Sequence, residues 1–193
     1  MNNRVSPIGL RPRGFTLIET LVSVAIFSTV MVVALGALLS LSEANRRAEL
    51  LSSATNNFDS AIDSMSRAIR TGINYHCGAG TLTATLDCTS AGSTQFAFLA
   101  ATGNETVYQF GTIGCPNNVG CILRSTDGGA SYASITSPEI FVKSLKFFGL
   151  GAFNTDNIQP RVVMLISGYV VVKGVQKSVF NFQTSVTQRF YDR

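Results

Sequence analysis

One uncharged apolar run dominates the N-terminal part of the chain. Between Glu19 and Glu43 there are 23 residues without a charged side chain, and Leu21 to Leu41 is mostly Leu, Val, Ala, Ile, Phe and Met. A bilayer core about 30 Å thick needs about 20 helical residues. The run therefore predicts a helix that can span a membrane, and the rest of the 193-residue chain has room for one domain.

Charge is distributed unevenly around this run. Residues 1–14 contain three arginines and no acid, whereas residues 15–193 contain 12 Lys and Arg against 11 Asp and Glu. Positive-inside bias predicts a cytoplasmic N-terminus, although Arg46 and Arg47 on the far side of the run reduce the contrast. No basic stripe with interleaved aromatic residues is present, so we do not expect a nucleic-acid partner.

Glu19 distinguishes this segment from an ordinary signal sequence. A secretory signal peptide has an apolar core of about 7–15 residues followed by a small-residue cleavage site, and this run is longer and lacks such a site. A plain signal anchor remains an alternative, but it does not account for Glu19. An ionisable residue in a spanning segment is costly and indicates a function with a specific partner.

The order of residues from Gly14 to Glu19 is more specific still. A basic leader ends in Gly14 and is followed by Phe15, Thr16, Leu17, Ile18, Glu19 and the apolar run. This order resembles the class III signal of the type IV pilin and type II secretion pseudopilin family. The resemblance implies that a prepilin peptidase removes residues 1–14 as a leader, cutting between Gly14 and Phe15 on the cytoplasmic side. It also implies N-methylation of the new Phe15 amino group.

The same resemblance implies an assembly role for Glu19. In filaments of this family, the glutamate meets the positive N-terminus of a neighbouring subunit. A carboxylate in low dielectric is costly alone and tolerable when paired. The expected partners are therefore the prepilin peptidase, other pilin or pseudopilin subunits and the inner membrane.

Beyond the apolar run the sequence becomes amphipathic. Apolar residues recur at steps of three or four, which indicates one stripe of a helix that packs on a domain. Asp63 and Arg67 lie off this stripe as an i,i+4 pair, and Gly72 is a candidate C-terminal cap. A helix from Phe15 to Thr71 would contain 57 residues and be about 85 Å long. The stripe consists of Leu51, Ala54, Phe58, Ile62, Met65 and Ile69.

From residue 73 onward the chain reads as strands, because runs rich in Val, Ile, Phe, Tyr and Thr alternate with Gly, Asn, Asp and Pro. The predicted class is α+β, with a long N-terminal helix packed on an antiparallel sheet in a pilin-like roll. The expected regions are a leader at 1–14, a membrane or filament-core helix at 15–42, an amphipathic continuation at 43–72 and a β-rich head at 73–193. The strand candidates are TLTATLDC, TQFAFLA, TVYQFGTI, GCILRST, EIFVKSLKFFGL, RVVMLISGYVVV and QKSVFNFQTSVTQRF.

Four cysteines, Cys77, Cys88, Cys115 and Cys121, all lie in this β-rich region. The spacings are C-x10-C and C-x5-C, and neither is the C-x2-C of zinc or thioredoxin-like sites. Disulfides in an oxidising compartment are therefore favoured over free thiols. Three connectivities are open, and the two sequence-local bridges need the least ordering of the chain.

The head lacks a recognisable catalytic motif. The single histidine, His76, is interpreted as a loop residue beside a disulfide, and the STDGG segment as a turn in preference to a calcium loop. No G-x-S-x-G or glycine-rich phosphate loop occurs, and we expect no enzyme activity, metal or cofactor.

The expected function is that of a structural and assembly subunit. The chain resembles a minor pilin or pseudopilin of the J or W type, anchored by a single pass in the inner membrane with its head outside the cytoplasm. The alternatives are a tip-located adhesin or uptake receptor of the same filament class, or a signal-anchored extracytoplasmic enzyme.

Overall fold

The computed structural model describes residues 14–79, 82, 84–153, 157–172 and 176–189. The expected leader, residues 1–14, therefore lies outside the described residues except for Gly14. One α-helix, α1 (Leu17–Thr71), is followed by eight strands, with a short 3-10 helix (Pro116–Asn118) between the third and fourth strands. The strands are β1 (Ile73–Cys77), β2 (Gln95–Leu99), β3 (Glu105–Gly111), β4 (Cys121–Ser125), β5 (Ala133–Ser134), β6 (Ile140–Leu150), β7 (Arg161–Val172) and β8 (Gln176–Thr187). This order confirms the α+β class.

The chain divides into two compact units between Arg46 and Arg47. The described residues of the first unit are 14–16 and the part of α1 up to Arg46. In this unit every described side chain is exposed. The second unit contains the end of α1 and all eight strands, and the hydrophobic core belongs to it.

In the second unit, α1 buries the stripe that its sequence predicted. Phe58, for example, packs its ring against Phe180 and Phe182 of β8, with centroids 4.8 and 5.6 Å apart. On the exposed side, Arg67 and Asp63 form the predicted ion pair at 2.9 Å. The stripe continues through Ala54, Ile62, Met65 and Ile69, joined by Ala61, while Leu51 is partly buried at its start.

Groups from outside the helix satisfy the C-terminal end of α1. The last carbonyls of a helix lack partners within it. Here the Tyr75 hydroxyl donates to the Ile69 carbonyl at 2.6 Å, and the Arg189 amide donates to the Arg70 carbonyl at 2.8 Å. Gly72 follows the helix as predicted, but its φ is not left-handed.

Two antiparallel sheets replace the single sheet that the sequence suggested. One has the order β1-β2-β3-β4-β5 and the other β6-β7-β8. Among the described residues, backbone hydrogen bonds link β6 to the first sheet and its flanking residues at isolated points: a bridge joins Ser93 and Phe147, and the Val142 amide donates to the Gly120 carbonyl at 2.8 Å. Because these bonds do not extend into a ladder, the two sheets remain separate.

One strand prediction was wrong and two strands were missed. Among the described residues of TLTATLDC, only Leu86 forms a bridge, with His76, and no ladder develops. Strand β1 (INYHC) was missed because it is irregular. Asn74 has a φ of 55°, and the pairing register shifts between Ile73 and His76. The two-residue β5 is too short to give a sequence pattern. The other six candidates coincide with β2, β3, β4, β6, β7 and β8.

Candidate processing and assembly segment

The N-terminal end of α1 is capped by Thr16. Its carbonyl accepts hydrogen bonds from the Glu19 amide at 3.1 Å and the Thr20 amide at 3.2 Å, and its Oγ1 lies 3.3 Å from the Glu19 nitrogen. A threonine side chain in this position satisfies one of the amides left open in the first turn. The sequence analysis did not identify this cap, although Thr-x-x-Glu is the pattern of a capping box.

Gly14 and Phe15, the two residues of the expected cleavage site, precede the helix in backbone without regular structure. Both are exposed, and no heavy atom would lie within 4 Å of a Cβ added at Gly14. The predicted helix start at Phe15 was two residues early, because Thr16 occupies the cap position and Leu17 is the first helical residue. The bond between Gly14 and Phe15 thus lies just outside the helix.

Glu19 lies in the first turn of α1, at the third helical position. The partial positive charge of the helix N-terminus favours a carboxylate there. The side chain is exposed, and within the described part of the chain its carboxylate has no hydrogen bond or ion pair. The helix end stabilises Glu19 only partly, and its two oxygens remain available to a cation from another molecule.

Several hydroxyl groups in the apolar run donate to carbonyls of the helix itself. Thr20 donates to the Leu17 carbonyl at 2.8 Å, and Ser23 donates to the Glu19 carbonyl at 2.7 Å. Ser28 bonds the carbonyl four residues earlier in the same way, at 2.8 Å. Such bonds would lower the cost of placing these hydroxyls among hydrocarbon.

The first unit exposes a large apolar surface. α1 is long and apolar enough to cross a membrane by length and composition. Phe15 and Leu17 are each 78 % exposed, and Val33 is 72 % exposed. Apolar exposure on this scale marks a surface that contacts a membrane or other protein chains.

The four cysteines form the two sequence-local disulfides. Cys77 pairs with Cys88, with Cα atoms 5.0 Å apart, and Cys115 pairs with Cys121 at 5.7 Å. The first bridge ties β1 to the segment at residues 84–88. That segment is held to β6 as well, because the Cys88 amide donates to the Gly149 carbonyl at 2.9 Å. The bridges thus fasten non-strand segments to the sheets.

His76 lies in strand β1, which corrects the prediction that it is a loop residue. It is 9 % exposed, and its Nδ1 lies 2.6 Å from the Ala84 carbonyl oxygen. A carbonyl can only accept, so Nδ1 carries the proton in this contact. Within the described residues, no group of three or more His, Cys, Asp and Glu side chains is arranged to hold a metal ion.

The STDGG segment folds into a turn around Asp127. The Asp127 carboxylate accepts hydrogen bonds from the Ser125 hydroxyl at 2.6 Å and from the Ser131 hydroxyl and amide. These bonds, that of Ser125 foremost, hold the pKa of Asp127 well below its ordinary value of 3.8. The segment is the turn that the sequence interpretation predicted, and donors of the turn itself occupy the carboxylate oxygens.

Comparison with known proteins identifies the N-terminal segment. Residues 10–35 match the family model of the prokaryotic N-terminal methylation motif, the leader motif of type IV pilins and pseudopilins. This stretch includes Gly14, Phe15 and Glu19. Neither a curated protein nor a solved structure matches the chain at the significance required.

Proposed function

We propose that this chain is a minor pilin or pseudopilin, a structural and assembly subunit of a type IV pilus or type II secretion filament. The observation that carries the proposal is the methylation motif at residues 10–35, located at the start of a capped helix with an exposed apolar surface. The role is structural and not catalytic. The J- or W-like character rests on sequence resemblance: the IFS sequence at residues 26–28, the absence of a proline from α1 and the DSAIDSMSRAIRTG sequence at residues 59–72.

The first step of this function is cleavage between Gly14 and Phe15 by a prepilin peptidase. The non-helical backbone of both residues supports it, because a peptidase needs an extended segment that it can reach. The cut leaves the apolar run in the mature chain and creates an amino group at Phe15. That amino group is the proposed site of N-methylation.

The second step is assembly through Glu19. Its carboxylate has no partner within the described part of the chain, and the membrane core cannot solvate it. The amino group of a neighbouring mature subunit, at that subunit's own position 15, supplies the opposite charge. Pairing in low dielectric favours the docked subunit over one free in lipid.

The proposed location is the inner membrane, crossed once by α1, with the N-terminus in the cytoplasm and the head outside. Two observations support it: the length and apolar character of α1, and the two disulfides in the head. Disulfides persist in oxidising compartments and are rare in the cytosol.

Mass spectrometry of the mature chain tests the processing step. We expect an N-methylated Phe15 at the terminus. A mature protein that keeps Met1 would overturn the proposal.

Substitution of Glu19 tests the assembly step. Glu19→Ala should lower incorporation into purified filaments by about tenfold or more, because the amino group of the neighbour loses its partner in low dielectric. Glu49→Ala is the matched control, since Glu49 is an exposed acid of the same helix beyond the apolar run. Equal incorporation of both variants and the wild type would contradict the role of Glu19.

A further inference from the structure

A polar cavity of about 490 Å³ lies in the head between α1 and the five-stranded sheet. Its helical side is formed by Ser60 and Ser64, which are one turn apart, and its sheet side by Tyr108 and Arg124. The segment after β5 borders it with Ser137. The volume is in the range of small-molecule sites in proteins, about 300–1,000 Å³.

Arg124 occupies an unusual position in this wall. It lies directly opposite Tyr108 on the neighbouring strand, and Tyr108 lies opposite Phe96. Directly paired residues point to the same face of a sheet, so Arg124 belongs to the row that carries the fully buried Phe96. A guanidinium on a core-facing row loses hydration and needs partners in exchange.

Those partners are missing from the described part of the chain. Arg124 Nε is buried and has no hydrogen-bond partner, and no described carboxylate pairs with the guanidinium. Ser137 Oγ, in the same wall, is also buried without a partner. Leaving such groups unsatisfied is expensive, which is the reason native proteins rarely do so.

The surroundings of Arg124 supply donors and no negative charge. Among the residues that line the cavity, Arg124 is the one charged side chain. Burial raises the pKa of Tyr108, more than the positive charge of Arg124 lowers it, so the phenol keeps its proton at neutral pH and can donate. A cavity with a cation and several hydroxyl donors lacks a negatively charged acceptor.

We propose that this cavity binds the oxyanion of a small ligand, a carboxylate or a phosphate group. Arg124 provides the charge and a fork of N–H donors that matches two anionic oxygens, and the Ser137 hydroxyl provides a further donor. The rest of the cavity accommodates the body of the ligand. This assignment does not depend on the filament role of the chain.

Isothermal titration of the full-length protein in non-ionic detergent tests this site. Inorganic phosphate and acetate are the two probes, titrated separately at constant ionic strength so that general screening does not change. We expect saturable binding of at least one of them. Saturation by phosphate alone would identify a phosphorylated ligand class, and saturation by acetate alone a carboxylate class.

Three variants separate this site from general attraction to basic residues. Arg124→Gln should weaken binding about tenfold or more, since a charged donor is lost. Arg161→Gln, which alters an exposed arginine on β7, should leave binding unchanged. Ser137→Ala should also weaken binding, while the unliganded protein unfolds at the same temperature or slightly higher because an unsatisfied hydroxyl is gone.

Absence of saturable binding of both probes would overturn the proposal. So would equal weakening by Arg124→Gln and Arg161→Gln, because the attraction would then be general. If Arg124→Gln does not fold, Ser137→Ala decides: unchanged affinity in that variant refutes the site.

Discussion

At the scale of single residues, Asp127 links the β4–β5 turn to pH. Its folded pKa lies below the ordinary value of 3.8, so the ionised carboxylate stabilises the folded state. A depressed pKa adds stability that is fully present above the unfolded value and is lost as the pH falls through the folded pKa. The turn should therefore be weakest in strong acid.

Asp127→Asn tests this linkage. The variant should unfold at a lower temperature than the wild type at pH 7, because it loses the charge that the Ser125 and Ser131 donors stabilise. The difference should shrink as the pH falls below about 4, where the unfolded carboxylate takes up its proton. Thermal unfolding followed by circular dichroism across pH 2–7 measures it, and a difference independent of pH would contradict the argument.

At the scale of elements, the junction of α1 with the first sheet depends on residue 72 being a glycine, which has no side chain. A Cβ at Gly72 would lie 2.3 Å from Cδ2 of Phe98. Phe98 is fully buried and its ring is surrounded by those of Tyr75, Phe96 and Tyr108. The ring therefore has little room to move aside, and the helix can meet strand β2 only through a glycine.

Gly72→Ala should lower the free energy of unfolding of the head by about 1–3 kcal/mol, the usual cost of overpacking a core. Gly36→Ala is the matched control, because a Cβ there meets no heavy atom within 4 Å and the residue belongs to the first unit. Denaturant unfolding of both full-length variants in detergent measures the effect. Equal stability of Gly72→Ala and the wild type would mean that Phe98 repacks at no cost.

The elements also differ in whether local sequence patterns could predict them. The apolar run and the stripe of α1 predicted the helix to within two residues, because helical periodicity is a local property. The number of sheets and the absence of a strand in TLTATLDC depend on contacts far along the chain, such as the bridge from Ser93 to Phe147. The methylation motif was readable from Gly14 to Glu19, whereas the cavity was not, since the surroundings of Arg124 depend on α1 and on the segment after β5.

At the scale of the whole molecule, the proposed function places leader cleavage and disulfide formation on opposite sides of a membrane. In the proposed function, the leader is cut in the cytoplasm, and the bridges Cys77–Cys88 and Cys115–Cys121 form in an oxidising compartment. The two events should therefore be independent. A chain whose leader cannot be removed should still export and oxidise its head.

Gly14→Leu tests this independence. The variant should keep residues 1–14 and fail to enter filaments, yet it should stay in the membrane fraction with all four cysteines oxidised, because export of the head does not require the cut. Intact mass reports whether the leader has been cut. Labelling with a thiol-reactive polymer, after denaturation without reductant, reports whether the cysteines are oxidised. Gly9→Leu, a matched change within the leader and away from the cut, should be processed normally. Thiols that label in the wild-type membrane protein would contradict an oxidising location of the head, and labelling only in Gly14→Leu would mean that cleavage is required before the head is exported.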